Sequence, residues 1–478
     1  MTFGGIENMA VVSVVQLSEL REAKRIDADR YDVRFLELEE DLRKLTIVKE
    51  LRSVIVEPVR TGHTPRDREI YEEDEKVYFI KTDTLREGLI DFENSDFLPA
   101  RSLSKRNYLE PNDVIVTIIG AHFDIIGRAA IFLPHFQKAV VNQNIAVIRT
   151  DENVLNPFFL MIFLNSKYGR EQLWMLSRQT GQVNLNCREV EKLLVPIFDM
   201  GFQLSIEDLA KKSSKFIELS KSLYSQAENL LLEELGLKDF NPKYELSYTA
   251  NLSQAFSVHR VDAEYFQPLY HELIKHLRNN FEVKLLKTFT IDFQKGIEVG
   301  SENYQEEGKL FIRVSSLSIH GFVEKDQKYI DKELYQTLKK VYEPKVGDFL
   351  LTKDATPGIA YVVKEPIEGI ISSGILKLQI NEKKIEKEYL ALCINSLAGK
   401  LQIERDCGGS VITHWRPDQI KNLQIPILPP ETQKKIAELV KQSHETRKKA
   451  KESLEEAKRK VEKAIEDEIK KTSTNQRF

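Results

Sequence analysis

Apolar residues follow two rhythms along this chain, and the pair of rhythms occurs twice. Short runs such as Val77-Tyr78-Phe79-Ile80 and Val114-Ile115-Val116, bounded by Gly, Pro, Asn and Asp, predict strands. A different texture follows from Leu204 to Leu237, where apolar residues fall seven apart at Leu209, Phe216, Leu223, Leu230 and Leu237. The small residues Ser213, Ser220 and Ala227 lie between them. After Pro429-Pro430 the same 3-4 spacing returns at Ile436, Val440, Ser443, Ala450, Leu454, Ala457, Val461 and Ala464, with Lys, Arg and Glu on the outer positions. Each stretch predicts a long helix, about 35 residues or roughly 50 Å at 1.5 Å per residue. Large residues on one helix and small ones on the other suit close packing, so the two are read as one antiparallel coiled coil. The alternative is that each stripe packs on its own lobe. Against it, the charge on every other face of the second helix leaves that helix solvated unless a partner covers its seam.

The strand-rich stretches repeat with a period of about 235 residues. Leu17-Ser18 followed by Arg25-Ile26-Asp27-Ala28-Asp29 returns as Leu252-Ser253 followed by Arg260-Val261-Asp262-Ala263-Glu264. Tyr78-Phe79-Ile80-Lys81 with Leu85 and Gly88 corresponds to Leu310-Phe311-Ile312-Arg313 with Leu317 and Gly321. Further on, Glu110-Pro111 leading to Val114-Ile115-Val116 matches Glu343-Pro344 leading to Phe349-Leu350-Leu351. Each copy closes on one more apolar strand, Leu194-Val195-Pro196-Ile197 or Gln424-Ile425-Pro426-Ile427. The fold expected is α/β, built as two similar α+β lobes with an internal pseudo-two-fold repeat and two long helices between them. The boundaries expected are a first lobe at 1–197, a long helix and linker at 198–250, a second lobe at 251–428, a long C-terminal helix at 429–471 and a frayed tail at 472–478.

Composition narrows the classes. A chain of 478 residues with 30% charged and 41% hydrophobic residues has the makeup of a globular protein, and no apolar run reaches the ~18 residues of a membrane span. Its opening, Met1-Thr2-Phe3-Gly4-Gly5-Ile6-Glu7, is unlike a secretory signal, so a cytoplasmic location without membrane attachment is expected. Three scattered cysteines, Cys187, Cys393 and Cys407, form neither a zinc pair nor a disulfide framework. With 70 Lys+Arg against 74 Asp+Glu there is no global pull toward nucleic acid, so any such binding comes from local patches.

Two similar lobes held apart by a rod of that length suggest a ruler, because duplex DNA repeats every 34–36 Å, about one turn. Base edges are read by Arg, Lys, Asn, Gln, Ser and Thr, and phosphates are gripped by Arg and Lys. In the first lobe the candidates are the basic turn Arg60, His63, Thr64, Arg66 and Arg68, then Lys81 and Thr82 at a strand end, then Arg101, Lys105 and Arg106. The polar loop Arg178, Gln179, Thr180, Gln182, Asn184 and Asn186 is the strongest candidate for base readout. In the second lobe the matching loop offers Ser410, Thr413, His414 and Arg416, accompanied by Lys295, Arg313, Ser315, Lys353 and Thr356. For any single residue a solvated surface or turn role is the competing explanation.

Three runs carry a family resemblance. Gly62-His63-Thr64-Pro65 with Val77-Tyr78-Phe79-Ile80-Lys81-Thr82-Asp83-Thr84-Leu85 resembles the opening of a target recognition domain. Lys295-Gly296 with Phe311-Ile312-Arg313-Val314-Ser315-Ser316-Leu317 resembles a second. The most specific is Ile425-Pro426-Ile427-Leu428-Pro429-Pro430-Glu431-Thr432-Gln433, similar to the run that starts each long helix in the specificity subunits of type I restriction-modification systems. The first helix lacks the double proline but keeps Gln203, and the second Gly-x-Thr-Pro has become Gly296-Ile297-Glu298-Val299. The resemblance, from about Leu17 to Ile469, implies a non-catalytic subunit. Its two domains would read the two halves of a split, asymmetric site on double-stranded DNA. It implies two modification subunits that methylate adenine with S-adenosylmethionine, and two restriction subunits that use ATP and Mg. No cofactor and no metal are expected in this chain.

Two other classes compete. A stand-alone methyltransferase or nuclease would need a catalytic motif, and the nearest, Asn156-Pro157-Phe158-Phe159, lacks the second proline and reads more simply as a helix cap. Acidic runs such as Glu72-Glu73-Asp74-Glu75 read as solvated surface, and no phosphate-binding glycine loop is present. The other competitor is a scaffold whose lobes bind proteins.

Overall fold

Strand Arg60–Thr61 opens a four-stranded antiparallel sheet in which it pairs with Ile145–Ile148, followed by Val114–Thr117 and Ala129–Ile131. In this computed structural model the described residues are 13–17, 20, 26, 28–120, 123, 125–179, 183–305, 307–323, 327–407 and 413–475. They fall into two compact units, residues 1–216 with 449–478 and residues 217–448. The division cuts through both long helices, so each unit contains a stretch of each.

The first unit adds a three-stranded sheet, in which Ala139–Val141 runs parallel to Lys76–Ile80 and Asp96–Pro99 pairs antiparallel on its other side. Val48–Glu50 and Leu194–Pro196 close a two-stranded ribbon. Helices α1 (Val33–Arg43), α2 (Pro157–Asn165) and α3 (Lys167–Leu176) cover the sheets, and every residue of α2 is buried. Asn156 caps α2 by accepting from the amides of Phe158 and Phe159 at 2.9 and 3.2 Å, which accounts for the motif as a cap.

The second unit repeats the plan. Its four-stranded sheet runs Thr290–Lys295, Ile375–Ile380, Phe349–Thr352, Ala360–Val362, and Gly369–Ile371 runs parallel to Lys309–Ile312. The ribbon is Glu282–Leu285 with Gln424–Ile427. Helices α4 (Lys387–Asn395) and α5 (Leu397–Cys407) take the places of α2 and α3.

Three pairs of buried side-chain amides recur at matching places in the two units. Asn165 accepts from the Ala129 amide at 3.0 Å and donates to its carbonyl at 2.8 Å, and Asn395 does the same to Ala360 at 2.9 and 2.9 Å. Gln172 brackets the backbone of Leu194 at 2.9 and 3.1 Å, as Gln402 brackets that of Gln424 at 3.0 and 3.0 Å. Gln203 donates to the Phe198 carbonyl at 2.8 Å, and Gln433 to that of Leu428 at 2.9 Å. Each amide satisfies buried strand or loop backbone groups, which are costly to leave unpaired in a dry core. Gln203 and Gln433 stand in the first turn of the long helices rather than before them, and each thus has a structural task.

The long helices are α6 (Met200–Glu234) and α7 (Pro430–Asn475). In the first unit the Ser213 hydroxyl donates to the Ala450 carbonyl at 2.8 Å. In the second, Ser443 donates to the Ser220 carbonyl at 2.7 Å, and the two hydroxyls lie 3.1 Å apart. Seven residues forward on α6 matches seven back on α7, as antiparallel helices require. The centre of the seam differs from expectation. Ile206, Ala210, Ser213, Ser220, Tyr224, Ala227 and Leu231 are buried, whereas the seven-spaced Leu209, Phe216, Leu223 and Leu230 are half-buried flanks. Small side chains let hydroxyls reach across to carbonyls, so they occupy the line of closest approach. The second helix also continues to Asn475, past the expected end at 471.

No helix among the described residues is long and apolar enough to cross a membrane. Among the described residues no group of His, Cys, Asp or Glu is placed to hold a metal ion. Glu75 of the acidic run pairs with Lys138 at 2.8 Å, and Asp74 is bonded to Arg101.

Candidate nucleic-acid interface

Each unit carries one polar face, made of loops that a short ladder of backbone hydrogen bonds joins. In the first unit the Asn142 amide donates to Ile80 O at 3.1 Å, the Ile118 amide to Asn144 O at 2.9 Å, and the Leu185 amide to Ile118 O at 2.9 Å. In the second, Ser372 donates to Ile312 O at 2.8 Å, Lys353 to Gly374 O at 2.9 Å, and Trp415 to Lys353 O at 2.8 Å. The rungs match one for one. They join the strand end at 80–82, the turn 142–144 and the loops 118–120 and 183–186, and their counterparts 312–314, 372–374, 353–356 and 413–416.

A glycine brings a further loop onto each face. Gly62 donates to Ile145 O at 3.1 Å, and a Cβ there would stand 1.9 Å from Val141 O. Gly296 donates to Ile375 O at 3.0 Å, and its Cβ would stand 2.2 Å from Ser372 O. The second Gly-x-Thr-Pro has lost its Thr-Pro yet keeps the loop path, because the close approach depends on the missing Cβ alone.

Several candidates gather on these faces. His63 is exposed, and the Thr64 hydroxyl donates to the Gln143 side-chain carbonyl. Lys81 pairs with Asp96 at 2.7 Å, a hydrogen bond that holds its ammonium above the usual range, and Thr82 stands beside it. Asn184 is exposed on the short strand Val183–Asn184, which pairs with Ile119–Gly120. Arg178 lies 3.6 Å from Glu189 and is 62% exposed. In the second unit Asp354 accepts from Lys353 and, at 2.8 Å, from His414 Nδ1. Burial works against the Asp354 carboxylate, but those two hydrogen bonds outweigh it and hold the group below its usual range. The Ala355 amide donates to Thr413 O at 3.0 Å, so Thr356, Thr413 and His414 share one patch. Lys295 is exposed at a strand end, and Arg313 and Ser315 stand where the strand Lys309–Ile312 leaves its sheet.

Four further candidates have structural partners of their own. Arg60 donates to Tyr108 O at 3.2 Å and lies 3.8 Å from the buried Asp113, which Arg149 holds at 2.8 Å, so it belongs to an internal charge cluster. Arg101 binds Asp67, Asp74 and the Glu69 carbonyl and lies over the Tyr71 ring, stitching its own loop closed. Asn186 caps the helix Cys187–Val190, accepting from Glu189 N at 3.1 Å while Glu189 accepts from Asn186 N at 2.9 Å. Arg416 is the cap of Pro417–Lys421, its amide bound by Gln419 at 2.9 Å. Arg and Asn serve loops and caps for the same reason that they serve bases, namely well-placed polar atoms, and sequence does not separate the two uses.

Of the remainder, Arg66 is exposed, Arg68 donates to Pro65 O at 3.1 Å, and Lys105 and Arg106 sit exposed on a turn leading to Tyr108, which bridges Val140. Thr180, Gln182 and Ser410, with the Gln179 side chain, lie outside the described residues.

Asn142-Gln143-Asn144 and Ser372-Ser373-Gly374, which are not among the sequence candidates, occupy the middle of the two faces. A legible signal existed, since each is a short polar turn between two apolar runs, Ala139–Val141 and Ile145–Ile148 or Gly369–Ile371 and Ile375–Ile380. Asn142 is buried and accepts from Asn144 N at 3.1 Å, shaping the turn, while Gln143 points outward and is exposed.

The architecture and faces define a protein of two related units, each carrying a loop face of the same backbone plan. Comparison places it further. Residues 282–459 match the family model of the type I restriction modification DNA specificity domain. A Methanocaldococcus jannaschii protein named as the MjaX type I restriction enzyme specificity subunit is 22% identical over 425 residues, 87% of this chain and 91% of that relative. The EcoBI specificity subunit of Escherichia coli is 25% identical over 127 residues, 27% of this chain and 25% of its own length. A crystal structure of the S subunit from M. genitalium aligns over 89% of this chain and 95% of its own, at 14% identity and a TM-score of 0.39. The matched domain lies in the second half of the chain, and over most of its length the chain is similar to type I restriction enzyme specificity subunits.

Proposed function

We propose that this chain reads DNA for a type I restriction-modification complex, each unit reading one half of a split, asymmetric site. The repeated loop ladder carries this reading. One backbone frame holds Thr64, Lys81, Thr82, Gln143 and Asn184 in the first unit, and Glu298, Arg313, Ser373, Lys353 and His414 in the second. A shared frame with unlike side chains suits two unlike half-sites, since phosphates see the frame and bases see the side chains. The long helices then set the spacer. Near-balanced charge, net -4, supports weak binding by the chain alone, with much of the phosphate grip supplied by partner subunits. In this reading two modification subunits methylate adenine with S-adenosylmethionine, two restriction subunits use ATP and magnesium, and the assembly works in the cytoplasm. The chain itself carries no catalytic group.

The test is methyl-adenine mapping of a DNA library treated with the modification subunit and S-adenosylmethionine, with and without this chain. Methyl-adenine is expected only with the chain and at a split motif, and exchanging residues 25–197 for those of a relative changes one half of it. An unchanged pattern without the chain, or no split motif, sinks the reading and leaves the protein-binding scaffold.

A further inference from the structure

The two faces differ most sharply at one pair of positions. Counting from the shared glycine, Thr64 stands two residues after Gly62, and Glu298 two residues after Gly296. Counting from the first rung of the ladder, Gln143 follows Asn142, and Ser373 follows Ser372. In both units these two positions are bonded to each other. The Thr64 hydroxyl donates to the Gln143 carbonyl oxygen, and the Ser373 hydroxyl donates to Glu298 Oε2 at 2.8 Å. Loop and turn are held at the same place by different chemistry.

We infer that each pair is a base-reading dyad, and that the first selects adenine and the second cytosine. This rests on the DNA-reading role proposed above. The Thr64 hydroxyl bonds the side-chain carbonyl oxygen of the exposed Gln143, a tether that restricts its rotamer and leaves the NH2 group to donate elsewhere. The carbonyl keeps a second lone pair. An amide so presented offers one donor and one acceptor in a plane, the pattern that adenine N7 and N6 complement in the major groove. The second pair is different in kind. Ser373 spends its only proton on Glu298, so the pair presents nothing but acceptors, the exposed carboxylate and the serine oxygen. An acceptor-only surface takes the cytosine N4 amino group and rejects guanine, whose major-groove edge carries only O6 and N7 acceptors. Pinning matters because an untethered glutamine spends rotamer freedom on each contact.

The experiment uses the chain in complex with its modification subunit and measures binding to the methylated motif and to every single-base substitution of it. Gln143→Ala is expected to abolish discrimination at one A·T pair of the half-site specified by residues 25–197, a loss of roughly 5- to 150-fold in selectivity there, with the other half unchanged. Glu298→Gln is expected to do the same at one C·G pair of the other half. The exchange Thr64→Glu with Gln143→Ser should turn the first preference from adenine toward cytosine. If wild-type complex yields a split motif and Gln143→Ala keeps every preference, or weakens all four bases equally, the dyad is overturned and the wider reading stands. If wild-type complex shows no split motif, the wider reading fails first. Should Gln143→Ala fail to fold by thermal melt, Thr64→Val decides. It removes the tether and leaves the amide, and a partial loss at that same A·T pair is expected, whereas no loss there overturns the dyad.

Discussion

Set side by side, the two units agree in their buried polar groups and disagree in their exposed ones. Asn165 and Asn395, Gln172 and Gln402, Gln203 and Gln433, and Gly62 and Gly296 make the same contacts. On the loop faces Thr64 with Gln143 stands where Glu298 with Ser373 does, and Asn184 where His414 does. The difference follows from where the energy lies. A buried amide that satisfies a strand's backbone has no substitute of the same shape, whereas an exposed side chain in a loop costs little to exchange. A duplicated protein can therefore change what it touches while keeping how it is built.

The largest test of this comparison is pH. In the second unit His320 and His444 are pushed down to about 3 and about 4, both first by burial, then His320 by Arg447, His444 and Lys221, and His444 by Lys364 and Arg447. The first unit has no buried histidine counterpart among its described residues. Folded values below the unfolded 6.5 mean that the unfolded chain binds the extra protons. Stability of the second unit should therefore fall as pH drops from about 6.5 to about 3, by something on the order of 5 kcal/mol, and level off below. Hydrogen exchange across both sheets checks it, and the contrast disappears in a His320→Phe, His444→Phe double variant.

Next, Asn165→Leu and Asn395→Leu each remove the side-chain partner of a buried backbone N–H, that of Ala129 or Ala360, so each should cost about 2 kcal/mol, and nearly equally. Urea midpoints followed by probes in the separate units check this, and a difference well above 1 kcal/mol would break the claimed equivalence. Smaller is the effect at the stem, where Ser213→Ala and Ser443→Ala each remove a cross-helix hydrogen bond worth about 1 kcal/mol. Least is the change expected at Lys105. If it meets phosphate, Lys105→Ala weakens binding evenly across sequences and lowers the salt slope by about one, seen in titrations of the complex at several salt concentrations.

Much of this architecture was legible in the sequence, because strand runs, helix stripes and the repeat are local patterns and each was written twice. The double occurrence turned a weak signal at Gly62 or Gln203 into a strong one. Less was legible at the site. Arg60, Arg101, Asn186 and Arg416 look like readers by type, and only the structure shows that each also has a local partner, Asp113, Asp74, Glu189 and Gln419. Gln143 looks like a turn residue, yet Thr64, 79 positions away, makes it half of a pair on the face.

By itself, then, the sequence determined the elements, their order and their duplication, since apolar period and turn chemistry act over a few residues. Only the tertiary structure decided which loops meet and which polar side chains remain exposed there. Those outcomes depend on sheet order and on hydrogen bonds between residues far apart in the chain, and no local pattern encodes them.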